Sequence, residues 1–172
     1  PGPRSEAWKY TSLRALERRS FALVDSIPEI GIELLADIPA PRLVFVNGRH
    51  SPSLSVMDPL PDGVSVQLLS DVLAEGSDYA RFLARRFERH DEIFARLNSA
   101  LASEGVLLRA EADAASDTPL HLVFIGAEDA TARAWHLRNL IELREGARLS
   151  IVEHHTASGP HAHFANALTH VH

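Results

Sequence analysis

Apolar and polar residues alternate in three short runs near the end of the chain: Leu137–Leu143, Leu149–Glu153 and Phe164–Val171. A period of two marks strands with one buried face. The first two runs are separated by Arg144-Glu145-Gly146-Ala147, a tight turn. Earlier in the chain, Leu43–Val46 reads as a strand stopped by the turn pair Asn47-Gly48. Ser53–Val56 reads as its answering strand and Val64–Leu69 as a third, so the spacing predicts a small sheet over Leu43–Leu69 with one apolar face. Val106–Leu108 and Leu120–Ile125 are two more strands, joined by a polar Ala/Asp-rich loop from Glu111 to Thr118.

Between Ser77 and Leu101 the period changes. Leu83, Phe87, Phe94, Leu97 and Leu101 recur at three- or four-residue steps once a turn at His90 is allowed. This predicts one amphipathic helix, or two with Asp91 capping the second, started by Ser77 or Asp78 and followed by Gly105. Its apolar stripe should lie on the sheet that follows, and His90 on that stripe reads as a satisfied, partly buried histidine. The first twenty residues predict a short helix capped by Thr11, with Trp8 and Tyr10 anchoring the arm by core packing. Ser20–Pro41, broken by Pro28, Pro39 and Pro41, predicts loops and short turns.

A faint echo runs through the last third. His136-Leu-Arg-Asn139-Leu-Ile resembles His163-Phe-Ala-Asn166-Ala-Leu at an offset of 27 residues. A fixed offset between strand-forming segments fits stacked coils of a β-solenoid; an antiparallel meander is the alternative.

Composition narrows the chemistry. The chain has 172 residues, enough for one large domain or a small one with an arm. It has no run near the roughly 20 apolar residues of a membrane span, and its start lacks a signal-peptide core, so a cytoplasmic protein is expected. It has no cysteine, so this chain alone cannot form disulfides, thiolate zinc sites or cysteine-held iron–sulfur clusters. The net charge is −6, and Arg18-Arg19 and Arg85-Arg86 are interleaved with acids, which leaves no nucleic-acid footprint. Lys9 is the only lysine, so neither a phosphate-cradling Gly-Lys-Ser/Thr loop nor a core Schiff-base lysine is present. No Gly-x-Ser-x-Gly elbow exists. A non-enzyme is expected.

Histidine is the unusual residue: ten are present, and six fall between His154 and His172. His161-x-His163 and His170-x-His172 each put two imidazoles on one face of an extended strand. Such pairs suit zinc, copper or iron. These four are the candidate metal ligands, and a histidine-rich metal-binding β protein or a cupin-like metalloenzyme is the alternative function. The cupin pattern needs a glutamate three or four residues after the pair. Here the chain reads Phe-Ala-Asn-Ala-Leu. A histidine-rich exposed edge is the plainer reading.

Several stretches together resemble the SufB/SufD family of iron–sulfur cluster assembly proteins. They are Glu6-Ala-Trp-Lys-Tyr-Thr11-x-Leu13, Leu43-Val-Phe-Val-Asn-Gly48, Leu97-Asn98-x-Ala100-Leu101 with Gly105-Val106, Pro119-Leu-His-Leu-Val123, and His136-Leu-Arg-Asn139-Leu-Ile. Glu145-Gly-Ala147, Ile151-x-Glu153 and Phe164-x-Asn166-x-Leu-Thr169 complete the series, in family order over nearly the whole chain. The lack of cysteine fits the SufD branch better than SufB. The resemblance implies an α+β chain: a helical N-terminal domain with a small sheet over residues 1–104, then the first coils of a right-handed parallel β-helix over residues 105–172. It implies a non-catalytic scaffold beside SufB-like and SufC-like subunits, with the iron–sulfur cluster only in the full complex and no cofactor in this chain. It also implies a truncated, N-terminal portion, without the family's ATPase-docking and cluster-ligand regions, so no ligand role transfers to any residue here. An open β-helix end predicts a homodimer through the strands after Glu153.

Overall fold

The structure is a computed structural model, and it describes residues 12–76 and 92–172. Among the described residues, eight strands form two four-stranded sheets. β1 (Arg42–Val46), β2 (Arg49–His50), β5 (Leu120–Ala127) and β7 (Ile151–Ser158) make sheet one, in the order β2-β1-β5-β7. β3 (Val64–Leu68), β4 (Val106–Ala110), β6 (Arg133–Leu143) and β8 (His163–Val171) make sheet two, in the order β3-β4-β6-β8. β1–β2 and β3–β4 are antiparallel. β1–β5, β5–β7, β4–β6 and β6–β8 are parallel. From β4 onward, consecutive strands pass between the sheets, and β4 to β6, β5 to β7 and β6 to β8 pair in parallel. The described residues also form three helices: α1 (Arg14–Glu17), α2 (Leu69–Glu75) and α3 (Ile93–Leu101). A 3-10 turn spans Ile32–Leu35. No described helix is long and apolar enough to cross a membrane.

The inner faces of the sheets meet in the main core, built from Leu43, Phe45, Val106, Leu108, Leu120, Leu122, Phe124, Trp135, Leu137 and Ile141. The outer face of sheet one carries Val44, Val46, Val123, Ile125 and Ala127, covered by Leu35 and Leu54. This explains why β5 is buried at all eight positions: both faces are covered, as in parallel sheets generally. On the outer face of sheet two, Val72 of α2 packs on Leu107 and Leu140. The α3 helix lies over β6 and β8, as its apolar stripe predicts.

The runs over Leu137–Leu143 and Phe164–Val171 are strands, as expected. The third run begins its strand later, at Ile151, and continues to Ser158. Leu43–Leu69 does not form a sheet of its own, because β1 and β3 lie in different sheets. β1 is buried on both faces rather than one. The return strand is Arg49–His50, not Ser53–Val56. Ser55 explains the difference: its hydroxyl donates to the Ser51 carbonyl at 2.8 Å and accepts the Val44 N–H at 3.0 Å, curling the chain into a turn. Val56 keeps only an isolated antiparallel bridge to Arg42. The Thr11, Ser77, Asp78 and Asp91 caps, the Trp8/Tyr10 anchor, and Leu83, Phe87 and His90 lie outside the described residues.

The 27-residue echo is not the spacing of the fold. His136 lies opposite Asn166, and Arg133 opposite His163, an offset of 30. Leu107 pairs with Leu140 at an offset of 33, and Leu120 with Ile151 at 31.

Candidate functional site

The inner face changes character from β5 to β7. Parallel register stacks Leu43 on Leu122 on Glu153, and Phe45 on Phe124 on His155. The second column is a run of rings. Phe45 and Phe124 have centroids 5.6 Å apart, and Phe124 and His155 5.0 Å. A leucine and a phenylalanine thus give way to a carboxylate and an imidazole at the same inward positions.

Sheet two answers with polar groups of its own. Asn139 accepts the Val106 N–H at 3.1 Å and donates to the Thr169 hydroxyl at 3.2 Å. Thr169 donates to Glu153 at 3.0 Å, and His155 Nε2 lies 3.4 Å from the other Glu153 oxygen. One hydrogen-bonded thread therefore runs from β4 through β6 and β8 to β7.

Beside this thread, Phe124, Gly126, Trp135, His155, His163 and Ala165 line a hollow of about 310 Å³. The His163 ring stacks on Trp135, with centroids 4.8 Å apart. It also lies against the backbone of Gly126: a Cβ there would sit 2.5 Å from His163 Cε1. Position 126 thus has to be glycine for the ring to occupy this place. Burial, then the neighbouring His161, lowers the His163 pKa, which favours the neutral ring.

Of the four histidines that the sequence singles out, the structure brings two together. His161 and His163 have ring centroids 5.0 Å apart. His170 is on the outer face, with its Nε2 3.4 Å from a guanidinium nitrogen of buried Arg138. His172 is exposed beyond the end of β8. His163 and His170 are seven residues apart on one strand, about 23 Å at strand rise, so no single ion spans both pairs within one chain. Among the described residues, no three histidine or carboxylate side chains converge on one point.

Two histidine arrangements escape the sequence patterns. His121 Nδ1 and His154 Nε2 lie 2.9 Å apart across β5 and β7 on the outer face. Burial, then the adjacent His154, lowers the His121 pKa. The register that joins residues 33 positions apart has no local signal. His50 Nε2 lies 3.2 Å from Ser55 Oγ, in the wall of a larger hollow that also includes Asp71 and Glu75. The pair resembles a nucleophile and its base. However, Ser55 already spends its proton on Ser51 and a lone pair on Val44, so its role is to hold the turn.

The fold and this site describe a two-sheet α+β protein with parallel layers and a polar inner edge, and its sequence is similar to those of iron–sulfur cluster assembly proteins of the SufB/SufD kind. An iron–sulfur cluster assembly SufBD family protein of Synechocystis sp. is 26% identical over 163 residues, covering 91% of this chain and 36% of that protein. The iron–sulfur cluster assembly protein SufD of Escherichia coli is 28% identical over 171 residues, covering 97% of this chain and 38% of SufD. These matches bear out the resemblance carried by the sequence motifs. The chain spans little more than a third of the length of either curated relative. No family model matches it.

Proposed function

We propose that the chain serves iron–sulfur cluster assembly as part of a SufD-like scaffold subunit, itself non-catalytic, acting in the cytoplasm beside SufB-like and SufC-like partners. The observation that carries this reading is the similarity to two cluster-assembly proteins over more than nine tenths of the chain. The absence of cysteine agrees with a supporting part rather than a thiolate ligand site in this segment. In this reading β4 to β8 are the opening coils of a right-handed parallel β-helix. Parallel offsets of 30, 31 and 33 between alternate strands support it, because each coil of a solenoid covers the open face of the one before.

The test is affinity purification of the tagged full-length protein from its native cells, followed by mass spectrometry. SufB-like and SufC-like proteins are expected in stoichiometric amounts. Their absence from a soluble, folded preparation overturns the scaffold reading.

A further inference from the structure

The strongest unexplained feature is the chemistry of His161 and His163. Both ring nitrogens of His161 and Nδ1 of His163 are buried with no hydrogen-bond partner. Buried polar atoms are almost always satisfied, so three orphaned nitrogens on adjacent rings call for a ligand. A neutral imidazole always offers one lone pair, and a pair of lone pairs in one place is a metal-binding arrangement.

The geometry agrees. A tetrahedral ion about 2.0–2.1 Å from one nitrogen of each of two imidazoles sets the ring centroids about 5 Å apart. The observed separation is 5.0 Å, with the ring planes inclined by 38°. The placement is also built rather than incidental. His163 is held between the Trp135 ring and the bare backbone of Gly126. His155 lines the same hollow as His163.

We propose that His161 and His163 form a two-histidine site for a divalent transition-metal ion of the zinc or copper type, with water completing its coordination. Imidazole suits these ions, and among the described residues no third histidine or carboxylate converges on the pair, which leaves the remaining positions to water. His170 and His172 have no part in it, because His170 faces Arg138 on the outer side of the sheet. The site is independent of the scaffold reading and stands or falls separately from it.

The stack on Trp135 supplies a local reporter. The chain has two tryptophans, so Trp8→Phe leaves Trp135 as the only indole. Titrating this variant with Cu²⁺ should quench its fluorescence saturably at one ion per chain, and Zn²⁺ should compete. His161→Ala, which leaves the His163 stack in place, should raise the Cu²⁺ dissociation constant by at least about tenfold, the loss that even an outer-shell partner can cause. His170→Ala/His172→Ala should leave it unchanged. Circular dichroism confirms that each variant is folded. Quenching that survives His161→Ala in a folded chain, or that disappears equally with His170→Ala/His172→Ala, overturns the proposal. So does the absence of saturable quenching in the parent.

Discussion

The side-chain amide of Asn98, at the buried centre of α3, donates to the backbone carbonyl of Asn166 on β8 at 3.0 Å. The same nitrogen donates to the Leu137 carbonyl on β6 at 2.8 Å. Asn166 returns the link by donating to the Phe94 carbonyl of the helix at 2.9 Å. Two asparagines thus fasten the helix across two neighbouring strands. Asn98→Ala removes both donors from carbonyls that are buried or partly buried between the helix and the strands. Urea denaturation should show a loss of about 2–3 kcal/mol, within the cost of stranding buried acceptors. A loss below about 0.5 kcal/mol would show that the packing of Phe94 on Phe164 holds the helix instead.

His136 makes this region pH-sensitive. Its Nδ1 lies 3.1 Å from the Asn166 amide nitrogen, which can only donate, so Nδ1 is the acceptor and carries no proton. Protonation there would set donor against donor. Burial acts in the same direction and lowers the pKa from 6.5. The unfolded chain therefore binds more protons than the folded one below about pH 6.5, and stability falls as the pH falls through that value. Burial lowers the pKa of His50 and His121 as well, adding to the same slope. Denaturation midpoints measured from pH 8 to pH 5.5 should decrease on the acid side, and His136→Gln should flatten the curve. An unchanged slope in that variant would remove His136 from the account.

Gly126 should tolerate no side chain while His163 is present. A methyl group 2.5 Å from His163 Cε1 has to displace the ring. Gly126→Ala should cost about 1–3 kcal/mol, the usual penalty of overpacking, and should shift Trp135 emission as the stack opens. Combining it with His163→Ala should recover much of the loss, a coupling that a double-mutant cycle measures directly. Additive losses would mean that the two residues are not in contact.

Much of this arrangement could be read from the residues, and the rest could not for physical reasons. Leu137–Leu143 and Phe164–Val171 alternate because one face of each meets the core, so their strands were visible. Ile93–Leu101 showed its apolar stripe, yet its only fully buried side chain is Asn98. A polar residue gives no periodic signal of its burial. The echo of His136 in His163 misled about spacing, because partners across a parallel pair need fit rather than identity: His136 faces Asn166 and bonds to it. Of the four candidate histidines, spacing showed that His161 and His163 share a face. It did not show that His170 shares its side of the sheet with buried Arg138.

The pairing of β1 with β5 bears on how the chain folds. Arg42 meets His121 only after 79 intervening steps, against 31 between Leu120 and Ile151. Closing the longer loop costs only about 0.8 kcal/mol more in chain entropy, so it hardly alters final stability. It does alter the order of events. The β5–β7 and β6–β8 pairs are the more local ones and should form first, with β1 docking onto a surface already made. Substitutions in β1 such as Val44→Ala should therefore speed unfolding and leave the refolding rate nearly unchanged, whereas Leu137→Ala on β6, in the more local β6–β8 pair, should slow refolding. Stopped-flow chevrons of the two variants distinguish this sequence of steps from simultaneous formation, in which both would slow refolding alike.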